Sequence, residues 1–332
     1  MHVTMRDVAR HAGVSVKTVS RVVNREPHTR PEMIRRVHAS IDELGWVPNG
    51  SARALRTGRT GIVGIGVAEL RRPYLANLVE ALVTEADRRG MLTAVEPTHR
   101  SPESVRRLLD ARGRAFDGVV LIGHDLPDGV PGALGERPLV VVQGTPSRHE
   151  ADRVDEDAAE AAMLIARHLT VMGRTRPALL GSDRRGAGRT PMLAALAATG
   201  IDLEAVPVAS LEPPADRRAG ARAAAEILSR NPEVDALLCA NDEVALGALA
   251  TLAAGGVDVP GRVVVIGHDN LEDGWFSTPS LTTIDPGRER IARAAFDLLG
   301  GRLDGSAPAH ARSLVLPVKL VRRESTLGVG AG

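Results

Sequence analysis

Two groups of residues carry side chains suited to chemistry at a partner's surface. The first lies in VSVKTVSRVVN, residues 14–24, where Lys17, Thr18, Ser20 and Arg21 fall on one side of a helical projection and Val19, Val22 and Val23 on the other. An arginine can donate two parallel hydrogen bonds to O6 and N7 of a guanine, and Lys17 can reach the same acceptors. The hydroxyls of Ser15, Thr18 and Ser20 suit phosphate oxygens or helix capping, whereas Val16 offers only apolar contact, for instance to a thymine methyl. Asn24, just past the helix, is either a C-terminal cap or a further contact. The second group lies far downstream, where Asn241 follows the apolar run Ala236–Cys239 and Asp269 follows Val263–Ile266. A carboxylate can accept from two adjacent hydroxyls and an amide both donates and accepts, and ligands of open α/β sheets bind at the carboxyl ends of the strands.

Groups for turnover are missing from the pattern. Gly61-Ile62-Val63-Gly64-Ile65-Gly66 has the spacing G-x-x-G-x-G, and Glu69 stands where a dinucleotide fingerprint needs its third small residue. No phosphate-binding Walker loop, nucleophile elbow or H-E-x-x-H pair occurs, and no Cys/His cluster has zinc-ligand spacing. Catalytic residues, metal ligands and cofactors are therefore not expected, and scattered histidines such as His124, His168 and His268 read as solvated or core.

Ordered elements must hold the two groups, and the composition permits them. A chain of 332 residues suits two or three domains, and 43% hydrophobic with 25% charged residues excludes both wholesale disorder and a membrane-embedded protein. The amino terminus is polar from the start and no run approaches the roughly 18 apolar residues that span a bilayer, so neither export nor anchoring is expected. The single cysteine, Cys239, fits a reducing cytoplasm. Charge is unevenly shared: residues 1–60 carry eleven basic and five acidic side chains, and the remaining 272 are mildly acidic. A localised positive field is what a polyanion selects.

Thr4 and Asp7 predict a capping box, after which Met5, Val8, Ala9 and Ala12 repeat as one helical stripe and Gly13 permits a tight turn. Ser15 can cap a second helix over Val16–Asn24, and Thr29 with Glu32 predicts a second box before a third helix whose Ile34, Val37, Ile41 and Leu44 face inward. From Gly61 onward apolar runs alternate with amphipathic stretches, the pattern of mostly parallel sheets covered by helices on both faces, and their number suggests two sheets in two lobes.

MRDVARHAGVSVKTVSRVVN followed by ELGWVPNGSARALRTGRTG resembles the DNA-binding head and hinge of the lactose/galactose repressor family of bacterial regulators, and ANDEVALGALATLAAGGVDVP, VVVIGHDN and PSLTTIDP resemble its sensor domain. The resemblance implies an all-α helix-turn-helix head over 1–46, a hinge helix and linker over 47–60, and an α/β two-lobed sensor over 61–328 similar to periplasmic binding proteins. Its lobes would take residues 61–156 with 286–314, and 157–285 with 315–328. In that family the second helix enters the major groove, which assigns base contacts to Val16, Lys17 and Arg21. The hinge match places Leu55 in the minor groove, unstacking a base step, with Arg53 and Arg56 on flanking phosphates. In the sensor it assigns the effector to Asn241, Asp269, Arg189 and Tyr74, and makes Asp155 either a cap, a hinge brace or a ligand contact. Trp275 and Phe276 pack or line the cleft mouth.

The expected protein is a cytoplasmic homodimeric repressor that binds double-stranded operator DNA, with no membrane partner, and responds to a small molecule, a sugar or sugar derivative, held between the lobes. Corepression by a different metabolite, as in the purine-responsive branch, is an alternative. A sugar-processing or dehydrogenase-like enzyme carrying a DNA-binding head is the other, which turnover of a bound sugar or reduction of a nicotinamide cofactor would reveal. The ending after Arg323 carries no heptad run for a tetramerising coiled coil.

Overall fold

The structure, a computed structural model, describes residues 3–23, 29–46, 58–123, 138–144, 151–181, 189–211 and 215–328. The chain divides into two units, Met1–Thr60 and Gly61–Gly332. In the first, α1 (Met5–Ala12), α2 (Val16–Val23) and α3 (Pro31–Leu44) follow one another closely. Asp7 accepts from the backbone N–H of Thr4 at 2.9 Å and from its hydroxyl at 2.6 Å, tying down the start of α1. Gly13 ends it at φ 62°, and Arg36 of α3 donates to the Ala12 carbonyl at 2.7 Å, so a side chain at position 13 would meet both backbone strain and that guanidinium.

Two expectations for this unit need correction. The Thr29–Glu32 box requires a helix starting at Arg30, yet α3 starts at Pro31 with Arg30 extended in the capping position. Proline is pre-organised for the first helical position and pushes the preceding residue out of the helical region. Ile34, expected inside, is 36% exposed; the core of Val8, Ala9, Ala12, Val19, Val22 and Val37 is closed instead by the indole of Trp46.

The second unit alternates strands and helices: β1 (Ile62–Val67), α4 (Pro73–Arg88), β2 (Leu92–Pro97), α5 (Pro102–Asp110), β3 (Gly118–Ile122), β4 (Leu139–Val142) and β5 (Asp152–Glu156). Then come α6 (Ala158–Val171), β6 (Pro177–Leu180), α7 (Arg189–Ala198), β7 (Val208–Ala209), α8 (Arg217–Arg230), β8 (Ala236–Cys239) and α9 (Asp242–Ala254). The chain finishes with β9 (Val264–His268), α10 (Glu272–Trp275), β10 (Thr282–Asp285), α11 (Arg288–Leu303), β11 (Ser313–Leu316), β12 (Lys319–Val321) and α12 (Glu324–Leu327). Two sheets form, ordered β2-β1-β3-β4-β5-β11 and β7-β6-β8-β9-β10-β12, parallel except where β12 runs against β10. Both have apolar clusters built from helices and strands, such as Leu78, Leu82 and Phe296 on the first and Ile165, Leu196 and Leu252 on the second, which is why the strands read as continuous Val/Leu/Ile runs.

The chain passes between the sheets three times, from β5 into α6, from β10 into α11 and from β11 into β12. Strands β5, β10, β11 and β12 escape the apolar-run criterion because they are short and carry polar residues at these crossings. Where α8 and α9 cross, Gly247 lies on the Arg217 carbonyl and Gly220 on that of Val244, so neither position has room for a Cβ. No helix among the described residues is long and apolar enough to cross a membrane.

Asp152, on β5, has no exposed side-chain surface and is held by two arginines. Arg302 donates in a fork at 2.8 and 2.9 Å, and Arg312 adds a backbone bond at 2.8 Å and a guanidinium bond at 3.0 Å, fastening β11 and α11 to the sheet. Burial alone would raise this carboxyl, but the two arginines outweigh it and hold it below the usual carboxylate range. A depressed group stabilises the fold above its unfolded value and loses that contribution as pH falls through its folded one. Asp152→Asn should therefore cost about 3 to 5 kcal/mol at neutral pH, measured by urea unfolding, and the gap to wild type should narrow as the medium is acidified below about pH 4.

Candidate functional site

In the first unit the backbone N–H of Thr18 donates to the Ser15 hydroxyl at 3.1 Å, and the two hydroxyls lie 2.9 Å apart. Ser15 thus caps α2, and the phosphate role expected for Thr18 competes with that pairing. Val19 and Val22 are buried while Val16, Lys17 and Arg21 are exposed, with Ser20 half-buried beside them. Lys17 and Arg21, one turn apart, stand on the same face. Their cationic tips and the exposed Val16 form a ridge of α2 that a groove in a duplex can accept. Asn24, Arg53, Leu55 and Arg56 lie outside the described residues.

The second unit has a cleft of about 440 Å³ at the carboxyl ends of both sheets. Gly123, Gln143 and Glu156 follow or end β3, β4 and β5 on one side, and Gly181, Asn241, His268 and Asp269 follow or end β6, β8 and β9 on the other. Both sheets reverse their strand order at the first strand of each half, the switch point where open α/β folds leave a crevice. Ala158, Ala161, Ala162 and Ile165 of α6, with Leu179, Leu238 and Ile266, make an apolar wall.

The polar wall is a continuous chain of bonds. The Gln143 amide donates to the Tyr74 hydroxyl at 2.7 Å and to Glu156 at 3.3 Å; Glu156 pairs with His268 Nε2 at 3.1 Å, and His268 Nδ1 lies 3.4 Å from Asp269. Burial disfavours a charged imidazole, but Glu156 and Asp269 outweigh it and raise His268 well above its ordinary value. Burial would likewise raise Glu156, which His268 and Gln143 hold down instead. Asp269 is raised, chiefly by burial, with His268 opposing. Burial and the nearby Glu156 and Asp269 charges raise Tyr74 strongly. Behind the wall, burial and the Asp269 charge push Asp242 up to about 6, against bonds from Thr283 and the Leu271 N–H.

Of the residues expected at an effector site, the structure brings Tyr74, Asn241 and Asp269 into this cleft. The Asn241 side chain is already engaged, capping α9 through Val244 N–H at 2.8 Å and donating to the Ala215 carbonyl at 3.1 Å. Arg189 opens α7, and residues 182–188 before it lie outside the described residues. Asp155 pairs with Arg153 at 3.0 Å, and the acid lining the cleft is its neighbour Glu156. Side chains alternate along a strand, so only one of two adjacent acids can face the crevice. Trp275 and Phe276 are exposed and line no part of the cleft; the Trp275 ring carries the Arg323 guanidinium at 4.8 Å.

His268 corrects the expectation of a solvated or core histidine, since it is the central charge of the cleft. Gln143, Arg72 and Arg100 were also missed. A position directly before Asp269 at a strand end was the available signal, but nothing in sequence shows which acid lies across from it. His168, by contrast, is buried against Thr326 at 2.9 Å as a core histidine. Both His268 nitrogens face carboxylates, so the ring has no free lone pair for general-base work, and burial raises the Cys239 thiol out of the nucleophilic range.

Comparison with known proteins agrees with both halves. Residues 4–49 match the model for bacterial regulatory proteins of the lacI family, and residues 166–326 match that for a periplasmic binding protein-like domain. The HTH-type transcriptional repressor PurR of Erwinia tasmaniensis is 30% identical, with 96% of each chain covered. The lac repressor dimer bound to operator and the anti-inducer ONPF superposes with a TM-score of 0.81 at 27% identity, covering 98% of this chain and all of that one. A CelR–cellobiose complex gives 0.70 at 30% identity over 98% of this chain and all of the other. With a relative this similar from end to end, the chain belongs to the lacI family of bacterial regulatory proteins.

Proposed function

We propose that this regulator acts in the cytoplasm as a homodimeric repressor whose hold on operator DNA is set by a polar small molecule in the cleft, without chemical turnover. The observation that carries this reading is the pairing, in one chain, of a cationic α2 ridge with a buried cleft whose polar wall is built for hydrogen bonding. In the head over 1–46, Lys17 and Arg21 take base-edge acceptors, Val16 an apolar edge, and Thr18 and Ser20 the phosphates. Arg53, Leu55 and Arg56, in the linker over 47–60, serve as the hinge that bends the duplex, and Asn24 adds a further DNA contact or caps the recognition helix. In the sensor, over 61–328, Asp269 accepts from effector hydroxyls, Tyr74 and Asn241 border them, and Arg189 is a further effector contact. A sugar or sugar derivative suits this wall, and the CelR–cellobiose complex shares its fold. Effector and operator then change each other's affinity by an equal factor.

Three measurements check the assignment. A dimer that covers about 6 to 10 phosphates should lose roughly 10³ to 10⁵-fold in operator affinity between about 50 and 200 mM salt, and a flat dependence refutes the basic head as the binding surface. Arg21→Ala should cost about 1 to 3 kcal/mol and relax the preference at one base pair, whereas uniform weakening over all sequences would make Arg21 a phosphate contact. Asp269→Ala should leave operator affinity intact and remove the response to whichever sugar stabilises the wild type in a thermal-shift screen; an unchanged response moves the effector site elsewhere.

A further inference from the structure

The loop that follows β9 carries more than the cleft carboxylate. His268, at the end of β9, reaches Glu156 at the end of β5, which belongs to the other sheet. Three residues later, Leu271 is 1% exposed and is buried in the apolar cluster of the first sheet, which includes Tyr74, Leu75 and Leu78 of α4. Its backbone N–H donates to Asp242 at 2.7 Å, and the other oxygen of Asp242 accepts from Thr283 at 2.6 Å. Between the two grips, Asp269 and Asn270 are held at φ 121° and 51°, a region that favours glycine, and Arg323 anchors Asn270 through its side-chain oxygen at 2.7 Å. An ionic contact and an apolar plug thus leave one half of the unit and enter the other, three residues apart, with Asp269 between them.

We propose that residues 268–271 form a clasp that closes the second lobe onto the first, the His268 imidazolium on Glu156 and the Leu271 side chain in the first lobe's core being its two grips. The charge follows from geometry, since a neutral imidazole would turn a lone pair toward one of its two carboxylates. Asp242 on α9 also acts on it, while Tyr74 on α4 acts with its partners Glu156 and Asp269, and Arg72 before α4 and Arg288 at the start of α11 act on Asp269 and Tyr74. A histidine raised above its unfolded value contributes fully below that value and loses its contribution as pH rises through the folded one. Alkaline conditions therefore release the ionic grip and leave the apolar one. That a molecule engaging Asp269 pulls on both grips rests on the cleft being the effector site; the clasp itself does not.

Cys239 supplies a native probe, because it is the chain's one cysteine, lines the cleft and is buried. Its alkylation by iodoacetamide in the full-length, ligand-free protein reports opening, and dividing each variant's rate by wild type at the same pH cancels the ionisation of the thiol. His268→Gln should raise the rate about tenfold near neutral pH, with the ratio falling toward one as the wild-type imidazole deprotonates. Leu271→Ala should raise it at every pH, whereas Leu82→Ala, an equally buried change in the first lobe's core, should not. Equal rates for Leu271→Ala and Leu82→Ala, or a His268→Gln ratio of one throughout, overturn the clasp. If either variant fails to fold, Glu156→Gln and Leu271→Val make the same two comparisons from intact protein. No effector is used, so failure here leaves the cleft assignment standing, and a failed ligand screen leaves the clasp standing.

Discussion

Glu156 and Asp269 reach the same buried cleft from different sheets, and two carboxylates in a water-poor site repel each other unless a cation stands between them. His268 is that cation, and its position at the end of β9 makes the neutralising charge part of the junction between the two halves. The same requirement shapes the rest of the unit. Asp152 stays buried at the start of β5 because Arg302 and Arg312 converge on it, and Asp242 stays buried by accepting from Thr283 and the Leu271 N–H. Breaking such a pair strands a charge, so the arrangement is held by the cost of the alternatives as much as by the strength of the bonds.

Much of this was legible before any coordinates. The head could be read because its signals are local: a capping box, a glycine-ended turn and a stripe of valines lie within a few residues of one another, and α1 and α2 follow them. The alternation of apolar runs and amphipathic helices likewise exposed most of the two sheets. Strands such as β5 and β10 were invisible because DRVDE and TTID owe their place to partners distant in sequence, arginines on α11 and before β11 in one case and a neighbouring strand in the other. The cleft divides in the same way. Asp269 and Asn241 announce themselves by following apolar strands, whereas Glu156 and Gln143 acquire meaning only when the second sheet is brought opposite them. His268 shows the limit most clearly: a histidine's role depends on which acids face it, and these are 112 residues upstream and one residue downstream.

On the proposed reading, recognition in this cleft relies on directed hydrogen bonds. Tyr74 is the one Phe, Trp or Tyr ring that lines it among the described residues, its hydroxyl already accepts from Gln143, and the His268 imidazole is engaged between Glu156 and Asp269. The segments outside the described residues in this unit, 124–137, 145–150, 182–188, 212–214 and 329–332, contain no Phe, Trp or Tyr. A flat ring system would therefore find no pair of Phe, Trp or Tyr rings to stack between among the described residues, and burial against the alanines of α6 rewards only shape and size. Polar pockets of this kind discriminate sharply, because an analogue lacking one hydroxyl leaves a buried carboxylate unpaired, at a cost larger than that of a missing methylene. Since Asp269 belongs to the same short loop as His268 and Leu271, the proposed effector contact acts where the two sheets meet. The proposed effector contact and the proposed clasp thus share one stretch of backbone, which couples occupancy of the cleft to the arrangement of the lobes.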